Sequence, residues 1–298
     1  MTRLPQIAML ADGRRLHLQD GPIDLIVEAW GSDANVRAAY DAAAGCFTGL
    51  LDTLCKELPE LRKAAHPANC TLQGRVARRM YAAVAPYAAN HFITPMAAVA
   101  GAVAEEILGA MGDAAHLDRA YVNNGGDIAL HLGEGERFTV GLVDRPDRPG
   151  PMKTTIIDFA DPTRGIATSG RHGRSFSLGI ADAVTVLART ASQADAAATI
   201  IANAVDLPGH PAIVRCPAHD LQPDSDLGAR LVTRDVGALS HREIEEALEA
   251  GVDKARALLG QGLIEGAALR LHGETRIVAP KTRPVAVARQ LVRESVMQ

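Results

Sequence analysis

The sequence predicts an α+β fold, a single domain in which antiparallel or mixed sheets pack against helices. Three observations carry that expectation. Hairpin signals recur between short apolar runs, at Asp12-Gly13, Asp20-Gly21, Asn123-Asn124-Gly125-Gly126 and His272-Gly273-Glu274. Blocks of helical periodicity lie between and after them, near residues 33–59, 74–84, 91–112, 192–205 and 240–259. At 47% hydrophobic and 22% charged, the chain of 298 residues can bury a core of its own. There is no internal repeat and no linker-like stretch. The domain is expected to cover residues 1–280, with 281–298 as a polar, basic tail that is either a short helix or flexible.

Composition narrows the function. Aromatics make up only 3% of the chain, too few for a stacking platform for single-stranded nucleic acid. A net charge of −4 offers no general attraction to phosphate backbones or anionic membranes, so neither nucleic acid nor membrane is an expected partner. Cys46, Cys55, Cys70 and Cys216 form no C-x-x-C pair and read as reduced core cysteines. The first residues, MTRLPQIAML, lack a secretory pattern. No apolar run reaches the length of about 18 residues that a spanning helix needs. A cytoplasmic location is expected.

In chain order, residues 4–30 read as a β-meander ending in the β-branched run Ile23 to Trp30. A helix follows, capped by Ser32 or Asp33 and carrying Val36, Tyr40, Phe47, Leu51 and Leu54, with Pro59 near its end. The stretch 74–84 is a helix whose Arg75, Arg78 and Arg79 read as a solvated face. In 91–112, Thr94 is placed as N-cap and Pro95 at the first helical position, leaving His91 and Thr94 near a helix end open to an anion. Tyr121 to Leu132 reads as strand, turn, strand. A strand through Val143, a Pro-rich loop over 144–151 and a strand near 154–158 come next. Residues 208–226 read as irregular. Ser240 with Glu243 forms a capping box for the last helix, and 263–278 is a hairpin.

The densest chemistry lies in Gly165 to Val205. Ile166-Ala167-Thr168-Ser169-Gly170 runs from a strand into a small-residue turn that can present hydroxyls and amides to a phosphate or carbonyl oxygen. Arg171, His172 and Arg174 add positive charge. An exposed turn with a solvated basic loop accounts for the same residues. Asp182 begins the apolar strand Ala183 to Ala188. Asp195 admits two readings. Three residues after Ser192, it resembles the acidic member of a capping box. Four residues before Thr199, it shares a helix face with that hydroxyl, and both could offer oxygens to Mg2+. Spacing leaves both open.

The order of these pieces, NNGGDIAL, IATSG, ADAVTVLA and ADAAAT at 194–199, resembles the ApbE-like superfamily, whose well-known members are FAD:protein FMN transferases. The resemblance is specific from about Tyr121 to Val205 and extends back to Thr94. It implies an ApbE-like, T-fold-like domain that binds FAD as substrate or ligand with Mg2+. Asn124, Gly125, Gly126, Asp127, Thr168, Ser169 and Gly170 would lie against the flavin dinucleotide, and Asp195 and Thr199 would bind the metal. In the transferases a Thr or Ser of an acceptor protein receives the FMN. They also carry a His-Ile-x-Asp-Pro segment before the Val-Thr-Val strand. Here that place holds RHGRSFSLGIADA, in which His172 and Asp182 are the nearest chemical substitutes and the candidates for catalysis. The chain thus resembles a shorter, divergent branch similar to ApbE-like proteins of archaea and some bacteria. Two further readings follow from the resemblance, a step in making a tetrahydromethanopterin-type one-carbon cofactor and a non-catalytic flavin or nucleotide carrier. The oligomeric state stays open between a monomer and a homodimer.

Overall fold

The computed structural model describes residues 4–142 and 153–280; the Pro-rich loop expected at 144–151 and the tail expected at 281–298 lie outside the described residues. The expected meander is present as β1 (Gln6–Met9), β2 (Leu16–Asp20) and β3 (Ile23–Trp30). Ser32 then caps α1 (Asp33–Phe47), its hydroxyl accepting the Asn35 N–H at 3.3 Å. The helix expected to continue toward Pro59 is broken instead. Gly49, at φ 81°, turns the chain into α2 (Leu50–Leu61), which carries Pro59 in its last turn. Next come α3 (Arg75–Val84), a 3-10 turn at Pro95–Ala98 and α4 (Val99–Ala114).

The second half alternates hairpins with helices. Strands β4 (Arg119–Asn124), β5 (Asp127–Leu132), β6 (Arg137–Leu142), β7 (Lys153–Asp158), β8 (Gly165–Ser169) and β9 (Ala183–Ala188) precede α5 (Ala191–Ala204). The region 208–226, expected to be irregular, contains β10 (Ile213–Pro217) and the single turn α6 (Ala218–Leu221); β10 pairs with β11 (Leu231–Val236). The capping box on α7 (His241–Gly260) is as expected, with both reciprocal bonds between Ser240 and Glu243. The final hairpin is β12 (Gly266–Leu271) and β13 (Glu274–Val278).

Nine strands make one sheet in the order β1-β2-β3-β4-β5-β8-β9-β12-β13. Every pairing in it is antiparallel, so of the two sheet types expected, the main sheet is the antiparallel one. Side chains alternate between its two faces. On one face α4 packs over β4 and β5, α5 over β8 and β9, and α7 over β12 and β13, with α1 against α4. That layer forms the main core, built largely from Ala, Val, Leu and Ile. On the other face the β6–β7 hairpin covers a smaller cluster of Leu130, Leu132, Ile157 and Ile166. Trp30, Tyr121 and Phe138 meet beside it, and the Arg119 guanidinium lies 4.5 Å from the Trp30 ring centre.

Helix α5 sits unusually close to its neighbours because glycines face it. A Cβ on Gly101 of α4 would overlap the Ala191 carbonyl, and one on Gly165 of β8 would overlap the Thr190 carbonyl. The start of α5 is therefore wedged between α4 and the sheet. Cys46 is partly buried and packs against the main core, whereas Cys55 and Cys70 are exposed, so the expectation of core cysteines is corrected for those two.

Candidate functional site

The antiparallel register puts four turns on one rim of the sheet. These are the β2–β3, β4–β5, β8–β9 and β12–β13 connections, because Leu25 pairs with Asn124, Ile128 with Ile166, Ser169 with Val184, and Arg270 with Ala183. The chemistry-bearing residues of the sequence gather there. In the β4–β5 turn both central residues, Gly125 at φ 65° and Gly126 at φ 111°, adopt the positive φ that a two-residue hairpin turn demands. The Gly126 N–H donates to Asn123 Oδ1 at 2.8 Å. Asn124 turns inward and donates its amide to the Ala100 carbonyl at the start of α4, 3.2 Å away.

Asp127 follows on the same inner face. Its Oδ1 accepts the Thr168 N–H at 3.1 Å, tying the β4–β5 turn to the end of β8. Asp195, in the second turn of α5, accepts the Gly101 N–H at 3.1 Å through Oδ2. Burial pushes the Asp127 carboxyl up to about 7, against the opposing pull of the Thr168 amide and the nearby Arg174 charge. Burial raises Asp195 well above the carboxylate range, and the charge of Asp127 raises it further. The two acids, 68 residues apart in sequence, thus form one electrostatic unit. Thr199 lies one helical turn beyond Asp195 on α5 and is partly buried.

The remaining predicted residues divide between this pair and its surroundings. The Thr168 hydroxyl does not face the acids. It lies on the opposite side of the sheet from Ala167 and shares a 2.8 Å hydrogen bond with Thr185 Oγ1, so only its amide reaches Asp127. Ser169 alternates back to the helix side, and Gly170 packs so tightly under Asp182 that a Cβ would overlap the Asp182 carbonyl. Asp182 is already engaged: Arg171 donates to its Oδ1 from Nε at 2.9 Å and Nη2 at 2.6 Å, and the His272 N–H donates to its Oδ2 at 2.6 Å. His172, with 43% of its side chain exposed, stands 3.4 Å from the same carboxylate. Arg174 covers Gly125 and donates to the Pro22 carbonyl at 3.3 Å, linking two of the rim turns.

Several expectations are corrected here. Ser192 is not the cap of α5. Thr190 is, its hydroxyl accepting the Gln193 N–H at 3.3 Å, while Ser192 is buried in the first turn and its N–H donates to Glu105 of α4 at 2.6 Å. Asp195 therefore caps nothing in its own helix. Thr94 does not cap its helix through its side chain either, and its hydroxyl donates to the Asp226 carboxylate. Arg79 is no solvated residue: it ion-pairs with Glu105 at 3.1 Å and Glu106 at 2.7 Å. His91 meets Lys254 at 3.1 Å, and burial with that neighbouring charge lowers its pKa. Gly101 and Glu105 were not singled out by sequence. A glycine amid helical alanines is the one signal that marks Gly101 as a point of close approach.

No cluster of three or more His, Cys, Asp and Glu side chains suited to a metal occurs among the described residues. A cation at the rim would draw two carboxylates from Asp127 and Asp195 and the rest from hydroxyl, carbonyl, water or ligand oxygens. Mg2+ accepts such a set, since it keeps much of its water and binds few protein carboxylates. Two partly buried acids, each raised by burial and Asp195 raised further by the charge of Asp127, fit a cation between them. A cavity of about 310 Å3 lies elsewhere, lined by Cys46, Thr53, Glu57, Arg75 and Glu106. Its carboxylates are already taken, Glu57 by the Gln73 and Gly74 amides and Glu106 by Arg79. No helix among the described residues is long and apolar enough to cross a membrane.

Comparison with known proteins decides the family. The family described as AbpE bacteria matches residues 7–277, nearly the whole chain. The chain belongs to this AbpE family. Curated relatives include a UPF0280 protein of Methanopyrus kandleri, 40% identical over 156 residues that cover 51% of this chain and 59% of that one. A UPF0280 protein of Methanothrix thermoacetophila is 42% identical over 117 residues, 38% of this chain and 46% of that one. A UPF0280 protein of Methanosarcina acetivorans is 32% identical over 185 residues, 61% of this chain and 70% of that one. The chain spans about half the length of the first of these curated relatives. The crystal structure of the flavinyl transferase ApbE of Pseudomonas stutzeri, apo form, aligns over 94% of this AbpE-family chain and 96% of its own, with 11% identity and a TM-score of 0.46. At that score the likeness bears no functional weight.

Proposed function

We propose that the chain is a flavin-dinucleotide enzyme of the flavinyl-transferase type, acting on FAD at the rim where Asp127 and Asp195 meet. The observation that supports this reading is the pair of enclosed carboxylates, each raised by burial and Asp195 raised further by Asp127. Asp127, Asp195 and Thr199 would hold Mg2+, which when bound supplies charge to neutralise a pyrophosphate. The amides of the Gly125-Gly126 turn and of Ser169 and Gly170 would lie along the ligand, and Asn124 keeps that turn on α4 through Ala100. In transfer, the P–O bond between the two phosphates breaks, a hydroxyl of an acceptor protein forms the new ester with FMN, and AMP leaves. The hydroxyl proton passes to a base, for which exposed His172 beside Asp182 is the candidate.

The test is AMP release from FAD, with and without Mg2+ and a Thr-bearing acceptor peptide, in the protein and in Asp195→Asn. The reading expects release that needs Mg2+ and falls at least a hundredfold in the variant. If no condition yields AMP, the transferase reading is lost. A specific observation favours a second reading, a flavin carrier without turnover: Asp182 is engaged by Arg171 and the His272 amide, and the other candidate base of that loop, His172, stands 3.4 Å from the same carboxylate. Tight FAD binding with no AMP supports the carrier.

A further inference from the structure

One edge of the large sheet carries an apolar, uncharged strand that nothing among the described residues covers. Strand β1 is its terminal strand. Residues 4–10, LPQIAML, carry no charge, and Leu4, Ile7 and Met9 are exposed at 79%, 42% and 47%. Edges are normally blunted by shortness, by lysine or proline, by an inward charge, by a bulge or by a covering element. Strand β1 is short, four residues following Pro5, but it carries no charge and no bulge: it pairs with β2 in an unbroken register from Gln6–Gln19 to Met9–Leu16.

The hydrogen-bonding parity of that edge is defined. Leu10 N–H donates to Arg15 O at 2.8 Å, so the alternation of an antiparallel ladder turns Gln6 and Ala8 toward β2. The N–H and C=O groups of Ile7 and Met9 therefore point away from the sheet. Their side chains share the face of Leu18 and Leu16, their register partners, which is the helix-covered face and is buried at those two positions. Ile7 and Met9 thus extend the core stripe past the point where the helices stop.

We propose that β1 pairs with β1 of a second copy of this chain, antiparallel about a two-fold axis through Ala8. Among two-fold registers this one uses both outward residues. Ile7 stands opposite the second copy's Met9, and each of the two such pairs exchanges two backbone hydrogen bonds, about four in all. Centring on Ile7 instead would place Met9 against Pro5, which has no N–H to give. The uncharged strand puts no like charges opposite one another. The Ala8 side chains meet at the axis, where bulk would clash, and the four Ile7 and Met9 side chains close into one apolar cluster. The axis stands perpendicular to the sheet, so both helix layers lie on the same side of a continuous eighteen-stranded sheet. Self-complementarity of one patch is the condition for a closed two-fold dimer. A contact of this length is below the area of about 800 Å2 per partner typical of stable complexes, so the dimer separates on dilution.

Sedimentation velocity of the full chain over a wide concentration range tests this. The sedimentation coefficient is expected to rise from a monomer to a dimer value, and Ile7→Lys should weaken association at least tenfold with an unchanged circular dichroism spectrum and melting temperature. Ala8→Cys, made with Cys55→Ser and Cys70→Ser, should cross-link to a dimer under mild oxidation, because residues directly opposite at a non-hydrogen-bonded pair are within disulfide reach. Gln6→Cys in the same background should not. A monomer at every concentration overturns the proposal. So does a dimer that Ile7→Lys leaves intact and Ala8→Cys does not cross-link.

Discussion

The carboxylates of Asp127, at the start of β5, and Asp195, on α5, lie close enough for the first charge to raise the pKa of the second. Both are enclosed, and burial is the larger cause in each. The raised folded pKa of Asp127, about 7 against an ordinary 3.8, fixes a sign. Between those values the folded state keeps a proton that the unfolded state has released, so stability is full at low pH and falls as pH rises through the window. The loss is at most about 4 kcal/mol for Asp127. Thermal melts of metal-free protein should give a lower Tm at pH 8 than at pH 5.5, and Mg2+ should recover the difference at pH 8. A flat pH profile would refute the pairing.

Removing one acid should reverse that penalty. Asp195→Asn keeps the shape and removes a buried like charge, so at pH 8 the metal-free variant should be more stable than the parent by about 1–3 kcal/mol. The same variant should lose the Mg2+-induced rise in Tm. Urea unfolding at two pH values, with and without Mg2+, measures both.

The glycines around α5 make an internal control. Gly101→Ala places a methyl on the Ala191 carbonyl and should cost about 3 kcal/mol or more, outweighing its gain in helix propensity. Gly109→Ala, in the same helix with nothing within 4 Å, should stabilise by about 0.5–1 kcal/mol. If both behave alike, the close crossing of α4 and α5 is not what the glycine serves.

Arg79 joins α3 to α4 through Glu105 and Glu106, and the Glu106 side chain is only 10% exposed. Arg79→Ala should destabilise by about 2 kcal/mol because it leaves Glu105 with only the Ser192 amide and Glu106 with only the exposed Arg75. Arg75→Ala, at a side chain 81% exposed, should change stability by less than about 0.5 kcal/mol. Denaturant midpoints of the two variants separate a structural network from a solvated face.

Asp182 and His172 should part company in the same way. Asp182→Ala removes the acceptor for Arg171 and for the His272 amide and should cost about 2 kcal/mol. His172→Ala should leave Tm within about a degree, so that any loss of AMP release in it reports on chemistry. An equal fall in Tm for both would place His172 in the scaffold.

What sequence makes legible here is local. The meander, the Gly125-Gly126 turn, the Ser240–Glu243 box and the last hairpin each depend on residues within a few positions of one another, and each forms as expected. The misreadings have one physical origin, in that tertiary contacts choose among local options. Thr190 and Ser192 are both competent caps, and the close approach of Gly101 buries Ser192 and leaves Thr190 to act. The hydroxyl of Thr168 faces away from the acids because strand alternation sends it to the side where Thr185 waits. The nearness of Asp127 and Asp195 has no local signature at all. It arises from the path of the chain through β8, β9 and α5, and from Thr168 and Gly101 offering an amide to each.

The single tryptophan, Trp30, stands at the seam where the β6–β7 hairpin meets the main sheet, its ring 5.8 Å from Phe138 and under the Arg119 cation. Its emission colour therefore registers whether that hairpin is seated, without any introduced dye. Flavins absorb where tryptophan emits, so the same ring is a built-in energy donor. Quenching on titration with FAD would report occupancy in unlabelled protein, and a red shift without quenching would report the hairpin lifting away.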